Sequence, residues 1–301
     1  MKIVVTGALS YSGKYIARRL LARGHHVATL THHANRPDPF DGQVQIFPLD
    51  FDRPGQLEAA LDGCQALINT YWVRFDRGAN THARAIENTR RIVDAAARAG
   101  VARVVHISIT NPNMASPLPY FHGKAQNEQI VMGSSMTYAI LRPTVLFGTE
   151  DVLINNIAFL LRRFPLFLMA GDGSYRLQPV YVDDLAAKVE EAVHRADCYV
   201  CDAVGPEIFS FRELVDHIGA VIGRVRPLVS VHPSLLILAA RMLGVVLGDV
   251  VLTPEEIDGL TGNLLVSSEP PRCATRLTDW LEQNKQTVGL KYASELKRHY
   301  A

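Results

Sequence analysis

The chain has 301 residues, of which 48% are hydrophobic and 20% charged, with 31 Lys plus Arg against 30 Asp plus Glu. That length can bury a sizeable core, as one large α/β domain or as a domain with a smaller companion. The near-balance of charge offers no basic face for nucleic acid, and the four cysteines fit a reducing compartment.

The first thirty residues organise the rest. Ile3, Val4 and Val5 form an apolar run that stops at Thr6 and Gly7, and the segment from Gly7 to Gly13 is a tight turn. In the following stretch Ile16, Ala17, Leu20 and Leu21 recur at helical spacing until Gly24, and His26 to Leu30 reads as the next parallel strand. Strand, glycine-rich turn, helix and strand make a βαβ unit, whose turn presents backbone N–H groups and the positive end of a helix to a pyrophosphate. The glycines are expected to keep a Cβ out of the ligand's path, so that Gly13→Asp should abolish nucleotide binding while the fold survives. A core strand at the very start leads to the expectation of a cytoplasmic protein without a cleaved signal sequence.

The alternation continues. Val44 to Leu49 is a third strand, ending at Asp50-Phe51-Asp52, and Pro54 to Leu61 a short helix. Ala66 to Thr70 is a fourth strand, running into Tyr71-Trp72. Thr81 to Ala99 is a long amphipathic helix with Ile86, Ile92, Val93 and Ala96 as its stripe, and Val104 to Ile107 is a fifth strand. This pattern predicts an α/β fold with a doubly wound parallel sheet, whose ligand lies across the carboxyl ends of the strands. Those ends carry Gly7, Ser10, Tyr11, Ser12 and Gly13; His32 and Arg36; Asp50 and Phe51; Asn69 and Tyr71; and Ser108 to Asn111.

A second constellation follows at Tyr120 and Lys124, four residues apart at the start of a predicted helix that runs to Met132. The spacing puts both on one helix face, where an ammonium favours the phenolate and a tyrosine can exchange a proton with a substrate hydroxyl or carbonyl. Past Gly148 the alternation loosens. A helix is expected over 151–164, a strand returning to the main domain over 178–182, and a helix with Asp183 and Asp184 at its start, read as an N-cap and its neighbour rather than a catalytic pair. Cys198 and Cys201 have redox-motif spacing but lie in a strand, where they point to opposite faces, and the histidines lack metal-site spacing, so no metal is expected. The apolar run from Leu228 to Leu252 is broken by Pro233, Arg241 and Asp249. It is expected to be a buried or partner-covered helix, with a membrane surface or a protein as the partner. In the tail, 276–300, Thr278 and Asp279 read as the cap of a terminal helix.

Taken together, these segments resemble the short-chain dehydrogenase/reductase superfamily, in its atypical and extended branches, and are similar to the dehydrogenase-like accessory subunit of respiratory complex I. The carriers are Thr6-Gly7 with Gly13, Asp50, Ile107-Ser108, Tyr120 with Lys124, Leu141-Arg-Pro143 with Phe147-Gly148, and the stretch from Gln178 to Ala186. Gly205-Pro-Glu207 with Phe211-Arg-Glu-Leu214 looks like the family's return into the substrate region. The resemblance implies a Rossmann domain over 1–149 with 178–204, and a smaller, discontinuous substrate region over 150–177 with 205–301. It implies that Gly7, Ser10 and Gly13 line the pyrophosphate, that Asp50 and Phe51 meet the adenine, and that Pro143 borders the cofactor. Tyr120 is then the acid/base, and Lys124 holds the nicotinamide ribose. Two positions depart from the family pattern: Ser10 replaces its middle glycine, with a hydroxyl able to donate to phosphate, and Ile109 stands where it commonly has Ser or Thr, leaving Ser108 or Thr110 to supply the hydroxyl. The cofactor expected is NADP, with NAD as the alternative, because no acidic residue stands near the end of the second strand, from Leu30 to Arg36, and Arg36 and His32 can meet a 2′-phosphate. The activity implied is that of an oxidoreductase or a nucleotide-sugar epimerase or dehydratase; the alternative is a non-catalytic nucleotide-binding assembly or regulatory module.

Overall fold

In the computed structural model, residues 1–299 are described. In chain order the elements are β1 (Lys2–Thr6), α1 (Tyr11–Ala22), β2 (His26–Thr31), β3 (Val44–Pro48), α2 (Pro54–Leu61), β4 (Ala66–Asn69), α3 (His82–Arg98), β5 (Arg103–Ile107), α4 (Pro119–Met132) and β6 (Thr137–Pro143). They continue as β7 (Leu146–Phe147), α5 (Leu153–Arg163), β8 (Phe167–Ala170), β9 (Arg176–Leu177), β10 (Val180–Tyr181), α6 (Val182–Val193) and β11 (Tyr199–Ala203). The remainder is β12 (Phe209–Ser210), α7 (Phe211–Val221), β13 (Leu228–Val231), α8 (Pro233–Leu247), α9 (Pro254–Thr261), α10 (Leu277–Asn284) and α11 (Glu295–His299). They form two compact units, Met1–Pro143 with Val182–Ala203, and Thr144–Tyr181 with the chain from Val204 onward.

The first unit is a seven-stranded sheet in the order β11-β6-β5-β4-β1-β2-β3, with every pairing parallel. This is the expected doubly wound sheet, and its order reverses between β1 and β4, where open parallel sheets leave a crevice. Ile3, Val4 and Val5 are fully buried, as are Val104 and Val105, because helices cover both faces of a parallel sheet. Helix α1 turns Ile16, Ala17 and Leu20 onto the sheet, and α3, whose first turn is capped by Thr81 Oγ1 accepting from Arg84 N, buries Ile92, Val93, Ala95 and Ala96. Asp183 is not an N-cap: α6 begins at Val182, and the Asp183 carboxylate makes a bidentate pair with Arg19 of α1 (2.8 and 2.7 Å).

The second unit has its own core, in which Phe147, Ile157, Leu161, Phe167, Met169, Leu177, Phe211, Leu214, Trp280 and Leu281 pack together. Three two-stranded pairings, β10 with β7, β12 with β9 and β13 with β8, replace the long sheet. The strand expected over 178–182 is therefore shorter, and it pairs with β7 instead of joining the large sheet. Asp151 lies just outside α5, where its carboxylate accepts from the Ile154 and Gly148 backbone and from Asn155 Nδ2. Thr278 does not cap α10; it sits inside the helix, whose first turn is held by Glu207 accepting from Thr278 N and Oγ1. Tyr300, the end of the expected tail, lies outside the described residues.

The apolar run from Leu228 to Leu252 becomes β13 and α8. Helix α8 packs Ala240 and Gly244 inward, yet Leu235, Leu238, Met242, Val245 and Val246 are 55–85% exposed. It is thus buried on one face only. Among the described residues no helix is long and apolar enough to cross a membrane.

Candidate functional site

The site is built on the carboxyl ends of β1 to β6 within the first unit. Gly7 leaves β1 with φ +70°, a conformation costly for any residue with a Cβ, and its N–H donates to Leu30 O (2.8 Å). Ser10 closes the turn: its N–H and its hydroxyl both donate to Gly7 O, at 2.8 and 2.6 Å. The hydroxyl expected to face phosphate is therefore committed to the turn. Tyr11, Ser12 and Gly13 form the first turn of α1, whose leading N–H groups have no intrahelical acceptor and so form an anion cradle.

Gly13 has a different role from the one expected. A Cβ there would sit 2.1 Å from Gly7 O and 2.8 Å from Gly7 C, so its absence lets helix and turn touch. Gly13→Asp would break the turn itself, and binding would not be lost with the fold intact.

Beyond the ends of β2, β3 and β4, three rings gather. Phe51 lies 5.5 Å from His32 and 5.1 Å from Tyr71 between centroids, and Tyr71 OH accepts from Asn88 Nδ2 (2.9 Å). Asp50 bonds its own turn through Asp52 N (3.0 Å) and pairs with Arg53 (3.3 Å). In the loop after β2, Asp38 is used in accepting from Phe40 N and Gly42 N. Arg36 is half-buried there, and Arg84 of α3 is close enough to act electrostatically on both His32 and Tyr71. Arg84 carried no signal in the sequence, because only the fold brings the start of α3 to the end of β2.

Asn69 does not line the rim. It is fully buried, with Oδ1 accepting from Thr6 Oγ1 (3.2 Å) and Tyr71 N (3.1 Å) and Nδ2 lying 3.2 Å from His106 Nδ1. It ties the ends of β1, β4 and β5 together. Thr70 adds to this by donating N–H to Thr6 Oγ1 and its hydroxyl to Thr6 O. Pro143 is buried at the end of β6, with its carbonyl accepting from Thr110 N (3.0 Å).

The second constellation lies on α4, which begins at Pro119, so that Tyr120 is already helical. Lys124 is 3% exposed and donates from Nζ to Ile107 O (2.9 Å). Burial pushes its ammonium down to about 7. His106, also fully buried beside Lys124, is pushed down to about 3 and stays neutral. Ser108 follows directly: its N–H donates to Leu141 O (2.8 Å), and its buried Oγ has no partner among the described residues. Ile109 is apolar and buried, and the two hydroxyl residues that flank it, Ser108 and Thr110, are buried as well, Ser108 directly following the carbonyl that Lys124 holds.

Trp72, missed as a site residue, joins this end together. Its ring lies 5.0 Å from Lys124 Nζ, 5.8 Å edge-on from Tyr120 and 5.5 Å from His82. Its place in the chain, directly after the rim residue Tyr71, was the available signal.

A nicotinamide dinucleotide fits these residues on three observations. There is a backbone cradle at α1 that a Cβ at Gly7 would strain, an aromatic wall at His32, Phe51 and Tyr71, and an orphaned buried hydroxyl at Ser108. Comparison with known proteins agrees. Residues 7–156 match the model of an NAD(P)H-binding family. The chain is 25% identical over 227 residues to the mitochondrial NADH dehydrogenase [ubiquinone] 1 alpha subcomplex subunit 9 of Arabidopsis thaliana, covering 70% of this chain but only 56% of that protein. In fold it is similar to a nucleoside-diphosphate-sugar epimerase from Staphylococcus aureus, with a TM-score of 0.74, 17% identity, and coverage of 94% and 100% of the two chains. It is also similar to the triphenylmethane reductase of Citrobacter sp., with a TM-score of 0.69, 18% identity, and coverage of 95% and 100%. With that nucleotide-binding βαβ turn, the parallel sheet of reversed order and the Tyr-Lys helix in one unit, the chain belongs to the NAD(P)H-binding proteins of the atypical short-chain dehydrogenase/reductase family.

Proposed function

We propose that the protein is an NADP(H)-dependent oxidoreductase or epimerase-like enzyme that acts on a carbon bearing a hydroxyl or carbonyl oxygen. The observation that carries this reading is the buried amine of Lys124 anchored on Ile107 O, beside the unpaired hydroxyl of Ser108 and one helical turn from Tyr120. A binding-only protein has little use for burying an ammonium and a partnerless hydroxyl at the same strand end, since each costs stability.

In this reading Tyr120 Oη gives a proton to, or takes one from, the substrate oxygen, and Ser108 Oγ donates a hydrogen bond to that oxygen as charge develops. Lys124 holds the ribose hydroxyls and supplies positive charge beneath the phenol. Its lowered proton affinity makes that charge dependent on pH near neutrality. When bound, the nicotinamide supplies the hydride acceptor or donor. Preference for the 2′-phosphorylated cofactor rests on Arg36 in the loop after β2 and on Arg84, which acts electrostatically on His32, with Asp38 of that loop consumed by backbone N–H groups.

Turnover tests the reading. A screen of carbonyl compounds and nucleotide sugars with NADPH and NADP should find activity that falls at least about a thousandfold in Tyr120→Phe while cofactor affinity holds. Activity unchanged in Tyr120→Phe refutes the mechanism. The alternative, a nucleotide-binding module like the complex I subunit it is similar to, is favoured by the apolar Ile109, and binding without any turnover would select it.

A further inference from the structure

Trp72 follows the end of β4, and its ring packs against α4. A Cβ on Gly123 would meet its Cη2 at 2.6 Å and its Cζ2 at 3.2 Å, so the helix has a glycine where the indole rests. One residue further on, the Lys124 ammonium is 5.0 Å from the ring centroid, within reach of its negative face. On its other sides the indole is tilted against His82 at 5.5 Å and meets Tyr120 edge-on at 5.8 Å and 90°. His82 is itself braced, its ring 2.8 Å from Asp76 Oδ1 and its backbone N–H donating to the same oxygen at 2.7 Å. The indole N–H is buried and has no acceptor among the described residues. The ring is held by its faces and edges and not by its polar atom.

We infer that Trp72 is a positioning residue for Lys124: the indole roofs the ammonium, keeps water from it, and turns aside when the ribose hydroxyls of a nicotinamide nucleotide engage it. The roof follows from the contacts, since the ammonium donates to Ile107 O, stacks over the ring and is 3% exposed. The displacement rests on the reading that Lys124 serves the nucleotide. Turning the ring breaks no hydrogen bond, and a ligand oxygen near the site would take the orphaned N–H.

The roof is tested on the nucleotide-free, full-length protein by reductive methylation with formaldehyde and cyanoborohydride across pH 6–9, with Lys124 followed by peptide mass spectrometry. In the parent, Lys124 should react about tenfold more slowly than the half-exposed Lys285. Trp72→Ala should remove that protection and move the pH midpoint of Lys124 upward, because water then solvates the charged form. Trp72→Phe should retain most of the protection. Gly123→Ala displaces the indole without deleting it and favours the helix, so it should expose Lys124 in the same direction even if Trp72→Ala folds poorly. Labelling of Lys124 within twofold of the parent in folded Gly123→Ala and Trp72→Ala overturns the roof. For the displacement, Trp280→Phe leaves Trp72 as the sole tryptophan, and NADPH should shift its emission. Calorimetric binding of NADPH with unchanged emission overturns the displacement. Absence of NADPH binding overturns the functional reading and the displacement with it, while the labelling result decides the roof by itself.

Discussion

Lys124 and Ser108 are the residues where burial and polarity pull in opposite directions. Burial pushes the Lys124 ammonium from 10.5 down to about 7, so between those values the unfolded chain holds a proton that the folded chain has released. Stability attributable to this group therefore rises with pH from about 7 to 10.5, and below 7 it is a constant penalty. Lys124→Met is expected to be more stable than the parent at pH 6, by roughly 2–4 kcal/mol, with the gap narrowing by pH 9. Denaturant unfolding at pH 6, 7.5 and 9 checks this, and parallel curves for the two proteins would count against it. Ser108 Oγ is buried and has no partner among the described residues, so Ser108→Ala removes a group that no described contact uses. Its melting temperature should stay within about 2 °C of the parent or rise. If the hydroxyl supports the developing charge, turnover should drop about a hundredfold. A loss of stability with unchanged turnover would remove Ser108 from the site.

Among the elements, α8 separates local propensity from tertiary fit most clearly. Its apolar residues cover both faces, and Val245 and Val246 are 85% and 82% exposed. Val245→Glu is expected to shift stability by no more than about 0.5 kcal/mol. Gly244 is the opposite case. Alanine is the better helix former by about 1 kcal/mol, but a Cβ at 244 would lie 2.5 Å from Asp249 O. Asp249 in turn accepts from Glu295 N and Leu296 N, both at 2.9 Å. The clash is with backbone and cannot be relieved by a rotamer, so Gly244→Ala should destabilise by about 2 kcal/mol or more. Thermal unfolding of the two variants is the check; a stabilised Gly244→Ala would mean that the turn at 248–250 yields freely.

For the molecule as a whole, cofactor preference becomes a stability measurement. A ligand that binds only the folded state stabilises it by about 2.7 kcal/mol at one hundred times its dissociation constant. At equal concentration NADPH should raise the melting temperature more than NADH, because Arg36 and Arg84 offer positive charge near the end of β2, where Asp38 is already used by backbone N–H groups. Arg36→Glu should reverse the order. A larger shift with NADH in the parent protein would overturn the preference, while leaving membership of the NAD(P)H-binding family untouched.

Much of the fold was legible because parallel strands buried on both faces read as short apolar runs and the intervening helices carry 3.6-residue stripes. The turn after β1 and the Tyr120–Lys124 spacing were legible for the same reason: they are local, set by a few adjacent residues. What the sequence by itself determined, then, is the alternating α/β order, the nucleotide cradle and the helix that carries the tyrosine and lysine. Only the tertiary structure decided roles that depend on contacts across the sheet. It turned Asn69 inward onto Thr6 and His106, drew Asp183 to Arg19, and used the absence of a Cβ at Gly13 to seat helix on turn. It also brought Arg84 towards the end of β2 and laid Trp72 over Lys124. The physical reason is sequence separation. Hydrophobic period and turn chemistry act within a few residues, whereas desolvation, ion pairing and ring packing depend on which distant segments share a strand end, and no local pattern records that.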